Sequence, residues 1–167
     1  MARPALLRPL EVLDQHGVRY VVIGAVAAIA QGYPLTTHDL DVTPAGDAEN
    51  LERLTEALRE LGVKRRVSRG PAVEFPVDAA FLGGAASWAL ETRDGLSFDV
   101  IFEPAGTAGY PDLVQDAATL DLGDGLEVAV ASLRDIVRMK QAAGRPKDLA
   151  QIPALMATLE ERERRGE

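Results

Sequence analysis

A chain of 167 residues with 18 basic against 26 acidic side chains carries a formal charge of −8, which excludes a generic nucleic-acid binder, since gripping phosphate needs a basic surface. The absence of cysteine excludes disulfide frameworks and thiolate-bound zinc or iron–sulfur centres, and fits a cytoplasmic setting. The start, Met1-Ala2-Arg3-Pro4, leads into an amphipathic stretch instead of an apolar signal core, and no apolar run approaches the ~20 residues that span a bilayer, so no membrane association is expected.

The length suits a single domain over residues 1–167. Leu6, Leu7, Leu10 and Leu13 recur at helical spacing, and Gly17 stops that helix. Tyr20-Val21-Val22-Ile23 reads as a buried strand ending at Gly24, and Ala25 to Ala30 is a small-residue helix ending at Gly32. After the connection Leu35-Thr36-Thr37-His38, the run Asp39-Leu40-Asp41-Val42-Thr43 alternates like a half-buried strand. Asp47 caps a helix with a stripe of Leu51, Leu54, Leu58 and Leu61, closed by Gly62. Residues 64–87 resist assignment, because Gly70-Pro71, Pro76 and Gly83-Gly84 interrupt any regular element. Trp88 to Thr92 and Leu96 to Phe102 form a hairpin through Arg93-Asp94-Gly95, and Gly123-Asp124-Gly125 joins a second one. Ser132, with Asp135 three residues on, opens a helix in the manner of a capping box, and Gly144 ends it. A last helical segment follows Arg145-Pro146, with Pro153 expected to kink or divide it. The order predicts an α/β (α+β) fold, a mixed sheet flanked by helices with a C-terminal helical segment at 132–165.

The sharpest local feature is Asp39-Leu40-Asp41. On a strand the two aspartates share one face, and two carboxylates so placed repel unless a cation lies between them. Mg²⁺ is the natural candidate, because hard cations take oxygen ligands. Asp99 lies in a second apolar run, Ser97-Phe98-Asp99-Val100-Ile101. If that strand neighbours the first, three carboxylates converge, enough for one or two Mg²⁺ ions. A lone Asp-x-Asp is common by chance, so the triplet by itself is more readily a strand cap or flank than a metal site.

The segment from Tyr20 to Val42 resembles the leading motif of minimal nucleotidyltransferases, the polymerase-beta-like superfamily that includes abortive-infection and toxin–antitoxin members. That pattern is a strand, a glycine turn, a short helix and a Thr-x-Asp-hydrophobic-Asp strand. Gly24, Thr37, Asp39 and Asp41 fall on it, Asp99 matches the third carboxylate, and Leu133 to Leu149 is similar to the closing helices. Residues 64–87 and 103–118 stay outside the likeness. The resemblance implies a nucleotidyltransferase fold and transfer of a nucleoside monophosphate from a Mg²⁺-bound NTP to a hydroxyl acceptor. Asp39, Asp41 and Asp99 would act as catalytic, metal-binding carboxylates, and Gly24, Ala25 and Thr37 would hold the nucleotide. A helix start after Gly24 suits a triphosphate, and glycine admits close approach of phosphate to the backbone.

Two departures stand out. Ala25 replaces the usual Gly or Ser, and Leu35 a frequent Arg. Lys140 and Lys147 are candidates to restore positive charge, with an ordinary surface position as the alternative for each, and Asp148 is a candidate to orient Lys147. The departures also leave room for a degenerate domain that binds a nucleotide or a partner without turnover. The acceptor stays open between transfer RNA, a protein and a small molecule such as an aminoglycoside, as does a cognate toxin or antitoxin partner. Lys64-Arg65-Arg66 with Arg69 forms a local basic patch. His38, on an alternating strand, would face away from both aspartates, and Trp88 is expected in the core. A dinucleotide-binding start fails for want of G-x-G-x-x-G, and no P-loop or nucleophile elbow is present.

Overall fold

The computed structural model describes residues 4–167; Met1–Arg3, part of the start discussed above, lie outside them. After a 3₁₀ turn at Ala5–Leu7 come α1 (Arg8–Gln15), β1 (Tyr20–Ile23), α2 (Gly24–Ala30), β2 (Asp39–Pro44) and α3 (Ala48–Leu61). Next are β3 (Lys64–Arg65), α4 (Ala79–Leu82), β4 (Ser87–Glu91), β5 (Ser97–Ile101) and α5 (Tyr110–Leu113). The chain closes with β6 (Ala118–Asp121), β7 (Glu127–Val130), α6 (Leu133–Ala143) and α7 (Pro146–Arg165). The strands form one seven-stranded mixed sheet in the order β3-β4-β5-β2-β1-β7-β6. This is the mixed α/β sheet with C-terminal helices that the residue pattern predicts.

Local chemistry explains the boundaries. Asp47 caps α3 by accepting the Asn50 N–H at 3.1 Å, and Gly62 ends it in the left-handed conformation. Asn50 in turn is buried and stitches α3 to the end of β2, donating to the Arg19 and Ala45 carbonyls at 3.0 and 2.7 Å. Ser132 caps α6 through the Asp135 N–H at 3.1 Å. The Asp135 carboxylate, however, pairs with Arg138 at 2.9 Å instead of turning back to the cap, so half of the expected box forms. Pro153 does not divide α7, which runs unbroken through it. The carbonyl that loses its intrahelical partner to Pro153 belongs to Leu149, which is exposed, so water can take that bond.

Period-two alternation sorts the sheet into two faces. Leu40, Val42, Leu90, Phe98 and Val100 are fully buried on one of them. Trp88 belongs to the same face by its pairing with Val100. Its indole N–H donates to the Leu82 carbonyl of α4 at 2.9 Å, and its ring stacks on Phe75 at 5.8 Å. α4 packs on α3 and α3 on α1, so these helices cover that layer. Residues 64–87 thus hold a short edge strand and a one-turn helix whose Leu82 is fully buried, with Phe75 from the intervening loop packed against the core. On the other face α2, α6 and α7 gather over β1 and β2. Buried Gln31 ties α2 to the β7–α6 junction by donating to the Ala131 carbonyl at 2.8 Å. Arg162, near the end of α7, donates to the Gln31 carbonyl at 3.2 Å.

Candidate functional site

The face left to α2, α6 and α7 holds a cleft of about 430 Å³, floored by the start of β2. Its Asp39 and Asp41 project to the same side while Leu40 between them is buried. β2 pairs antiparallel with β1 and parallel with β5, which places Ile23, Asp41 and Asp99 in one lateral row. Paired strands lie about 4.8 Å apart, so Asp41 and Asp99 sit side by side, with Asp39 two residues along β2. Burial first, then the charges of Asp99 and Asp39, push the Asp41 carboxyl up to about 6, against the opposing pull of Arg66 and Lys140. Burial also raises Asp99, which Arg66 counters.

Gly24 explains how Asp41 fits. It opens α2 with φ +67°, and a Cβ there would lie 2.3 Å from Asp41 Oδ2. The carboxylate therefore rests against the bare backbone at the start of the helix, a position closed to any larger residue. Ala25 and Leu35 line the cleft beside it. Thr37 does not line it. Its hydroxyl accepts the Asp39 N–H at 3.1 Å and so fixes the entry into β2. His38 is exposed and also does not line the cleft.

The opposite wall is basic. Ile136, Met139, Lys140 and Ala143 follow the spacing of one helical face and turn it to the cleft. From the first turns of α7 come Lys147, Asp148 and Gln151, with Arg145 just before them. Asp148 is nearly buried and is engaged by Arg145 at 2.6 Å and by Lys140 at 3.6 Å. It therefore organises those two cations, not Lys147, because a carboxylate at the start of α7 faces back onto α6. The Arg145 hydrogen bond holds its carboxyl below the ordinary range. Lys140, one-fifth exposed, lies within the electrostatic reach of Asp41, whereas Lys147 is exposed at the rim.

Three participants escaped the residue pattern. Arg145 gave a signal only as a helix-start residue, and Glu103, which lines the cleft beyond β5, gave none. Arg66 was visible only as part of a basic patch. Its guanidinium crosses β4 to donate to Asp99 Oδ1 and, at 3.1 Å, to Ser97 Oγ.

As donors, Asp39 and Asp41 suit a hard cation: two carboxylates on one face, under like-charge pressure from a third, with glycine leaving room beside them. Among the described residues no three acidic or histidine side chains close on one point as a finished metal cage, and Asp99 is engaged by Arg66. An acidic floor facing a basic wall can hold a cation-bound polyphosphate across its width.

No family model and no curated protein matches the sequence. Solved structures do match it by shape. A candidate nucleotidyltransferase from Thermotoga maritima superposes with a TM-score of 0.56 at 23% identity, covering 97% of both chains. The lincomycin-bound lincosamide antibiotic adenylyltransferase LnuA gives 0.62 at 13% identity, covering 95% of this chain and 98% of that one. ANT(2")-Ia in complex with adenylyl-2"-tobramycin gives 0.56 at 17% identity, covering 90% and 85%.

Proposed function

Since the chain has the nucleotidyltransferase fold, we propose that its cleft transfers a nucleoside monophosphate from an NTP to a hydroxyl of a small-molecule acceptor. One observation carries this: Asp39 and Asp41 face Lys140, Arg145 and Lys147 across a single cleft, with Asp99 beside Asp41 on the neighbouring strand just outside its lining. Asp39 and Asp41 would hold Mg²⁺. When bound, that ion neutralises the developing charge on the phosphates and draws electrons from the phosphorus under attack. Lys140, preset by Asp148, and Lys147 grip the outer phosphates by charge-assisted hydrogen bonds. Gly24 and Ala25 offer the backbone at the start of α2.

The acceptor hydroxyl enters from the side of β4, whose Ser87 and Ala89 are exposed on this face. Its oxygen forms a bond to the α-phosphorus as the α–β bridging P–O bond breaks and pyrophosphate leaves. The proton passes to Asp99 through the carboxylate oxygen that Arg66 leaves free. A small-molecule acceptor is favoured because one structural neighbour is a lincosamide antibiotic adenylyltransferase with lincomycin bound, and another is in complex with adenylyl-2"-tobramycin.

The test is transfer of label from each NTP, with Mg²⁺, to lincosamides and aminoglycosides, and in parallel to cellular RNA and protein. Labelled small molecule plus pyrophosphate, lost in Asp41→Asn, is the expected result. Labelling of RNA or protein alone would overturn the acceptor assignment. Thermal stabilisation by NTP with no transfer to anything would favour a binding module, the reading that Ala25 and Leu35 support. No stabilisation by any NTP would sink the cleft assignment.

A further inference from the structure

Arg66 takes no direct part in the transfer just described, yet it is built into the site. Its backbone N–H donates to the Ala89 carbonyl at 2.8 Å, anchoring it at the sheet edge beside β4. From there the side chain passes over the small Ala89 to Ser97 and Asp99. The guanidinium thereby enters the lateral row that continues to Asp41, and its charge is felt there. It is held firmly, with two-thirds of the side chain shielded from solvent. Its Nε is buried with no hydrogen-bond partner, although an unmade buried bond is costly. The side chain is thus oriented for Ser97 and Asp99 at the expense of its own third donor.

A guanidinium stays charged at any working pH. Fixed on Asp99, it occupies one ligand oxygen and repels any further cation placed between Asp99 and Asp41. Resting on the reading of the cleft as an NTP site, we propose that Arg66 is a built-in second cation. The carboxylates then take one divalent ion, at Asp39 and Asp41, where three unencumbered carboxylates could take two. Arg66 is in these terms a positioning residue: it acts through Asp99 and determines metal stoichiometry.

The experiment counts Mn²⁺ bound to the full chain in the presence of α,β-methylene-ATP, by the paramagnetic resonance of the free ion, alongside the melting temperature in the same buffer. Wild type is expected to bind one Mn²⁺. Arg66→Gln should bind a second, with affinity raised roughly tenfold or more, and Arg66→Lys, which keeps the charge, should stay at one. Two ions in wild type, or one ion in a folded R66Q, overturns the proposal while leaving the cleft assignment intact. No Mn²⁺ in either overturns both. Should R66Q fail to fold, Ser97→Ala loosens the guanidinium without deleting it, and an unchanged affinity for the second ion in that variant overturns the proposal.

Discussion

Replacing Asp41 by Asn tests whether the carboxylates are held together against their own repulsion. The Asp41 carboxyl rises from 3.8 to about 6 in the folded chain through burial and the charges of Asp99 and Asp39. Between those limits the folded state retains a proton that the unfolded chain has released. Its contribution therefore favours folding below that window and is lost as pH climbs through it. A shift of about two units corresponds to roughly 3 kcal/mol of stability forfeited at pH 8. Asparagine keeps the shape beside Gly24 and removes the charge, so the variant should be more stable than wild type by about that amount at pH 8. In a chain of this length the gain appears as a melting temperature roughly 6–12 °C higher. At pH 4.5, where the folded wild type is itself protonated, the advantage should shrink to about 1 kcal/mol. Urea denaturation followed by the single tryptophan, buried Trp88, reports both values. A variant that is less stable at pH 8, or whose advantage does not change with pH, would refute the reasoning.

Gly24→Ala should do the opposite. A side chain at φ +67° and 2.3 Å from Asp41 Oδ2 must displace the carboxylate, with a cost of about 1–3 kcal/mol and loss of NTP-induced stabilisation; a melting curve with and without NTP decides it. Lys140→Met should weaken NTP binding by roughly tenfold, while Lys147→Ala, at the exposed rim, should weaken it by only about two- to threefold. Equal effects by calorimetry would show that the interior position of Lys140 confers nothing. Phe98→Ala empties a fully buried site between Leu40 and Leu90 and should cost about 3–5 kcal/mol in urea denaturation, on the sheet face opposite the carboxylates.

The elements that could be read from the chain are those whose signal is local. Alternation in Asp39–Thr43, the leucine stripe of α3, and the caps Asp47 and Ser132 each state their own structure within a few residues. The convergence of Asp99 with Asp41 was legible only as a condition, since register between strands far apart in sequence is a tertiary fact. Lys140 could not be told from a surface lysine because its burial depends on Asp148, a partner on the next helix. Thr37, which the motif assigns to the nucleotide, lies outside the cleft lining and bonds the backbone of Asp39, a local contact that the motif does not state. Arg66 lay in the stretch broken by Gly and Pro, and its role comes from reaching across a whole strand. No periodicity encodes such a contact.

The parallel pairing of β2 with β5 has a kinetic consequence. Between them the chain must lay down α3, β3, α4 and β4, so Asp41 meets Asp99 only after a long loop has closed. Loop closure is entropically unfavourable before the contacts that reward it exist, and non-local strand pairing is slow for that reason. The same pairing that brings the mutually repelling carboxylates together buries the hydrophobic face of those strands, Leu40 and Val42 against Phe98 and Val100. The two sides of β2 are in effect a motor and its load. One side drives the pairing, and the other carries the electrostatic tension that the pairing has to overcome.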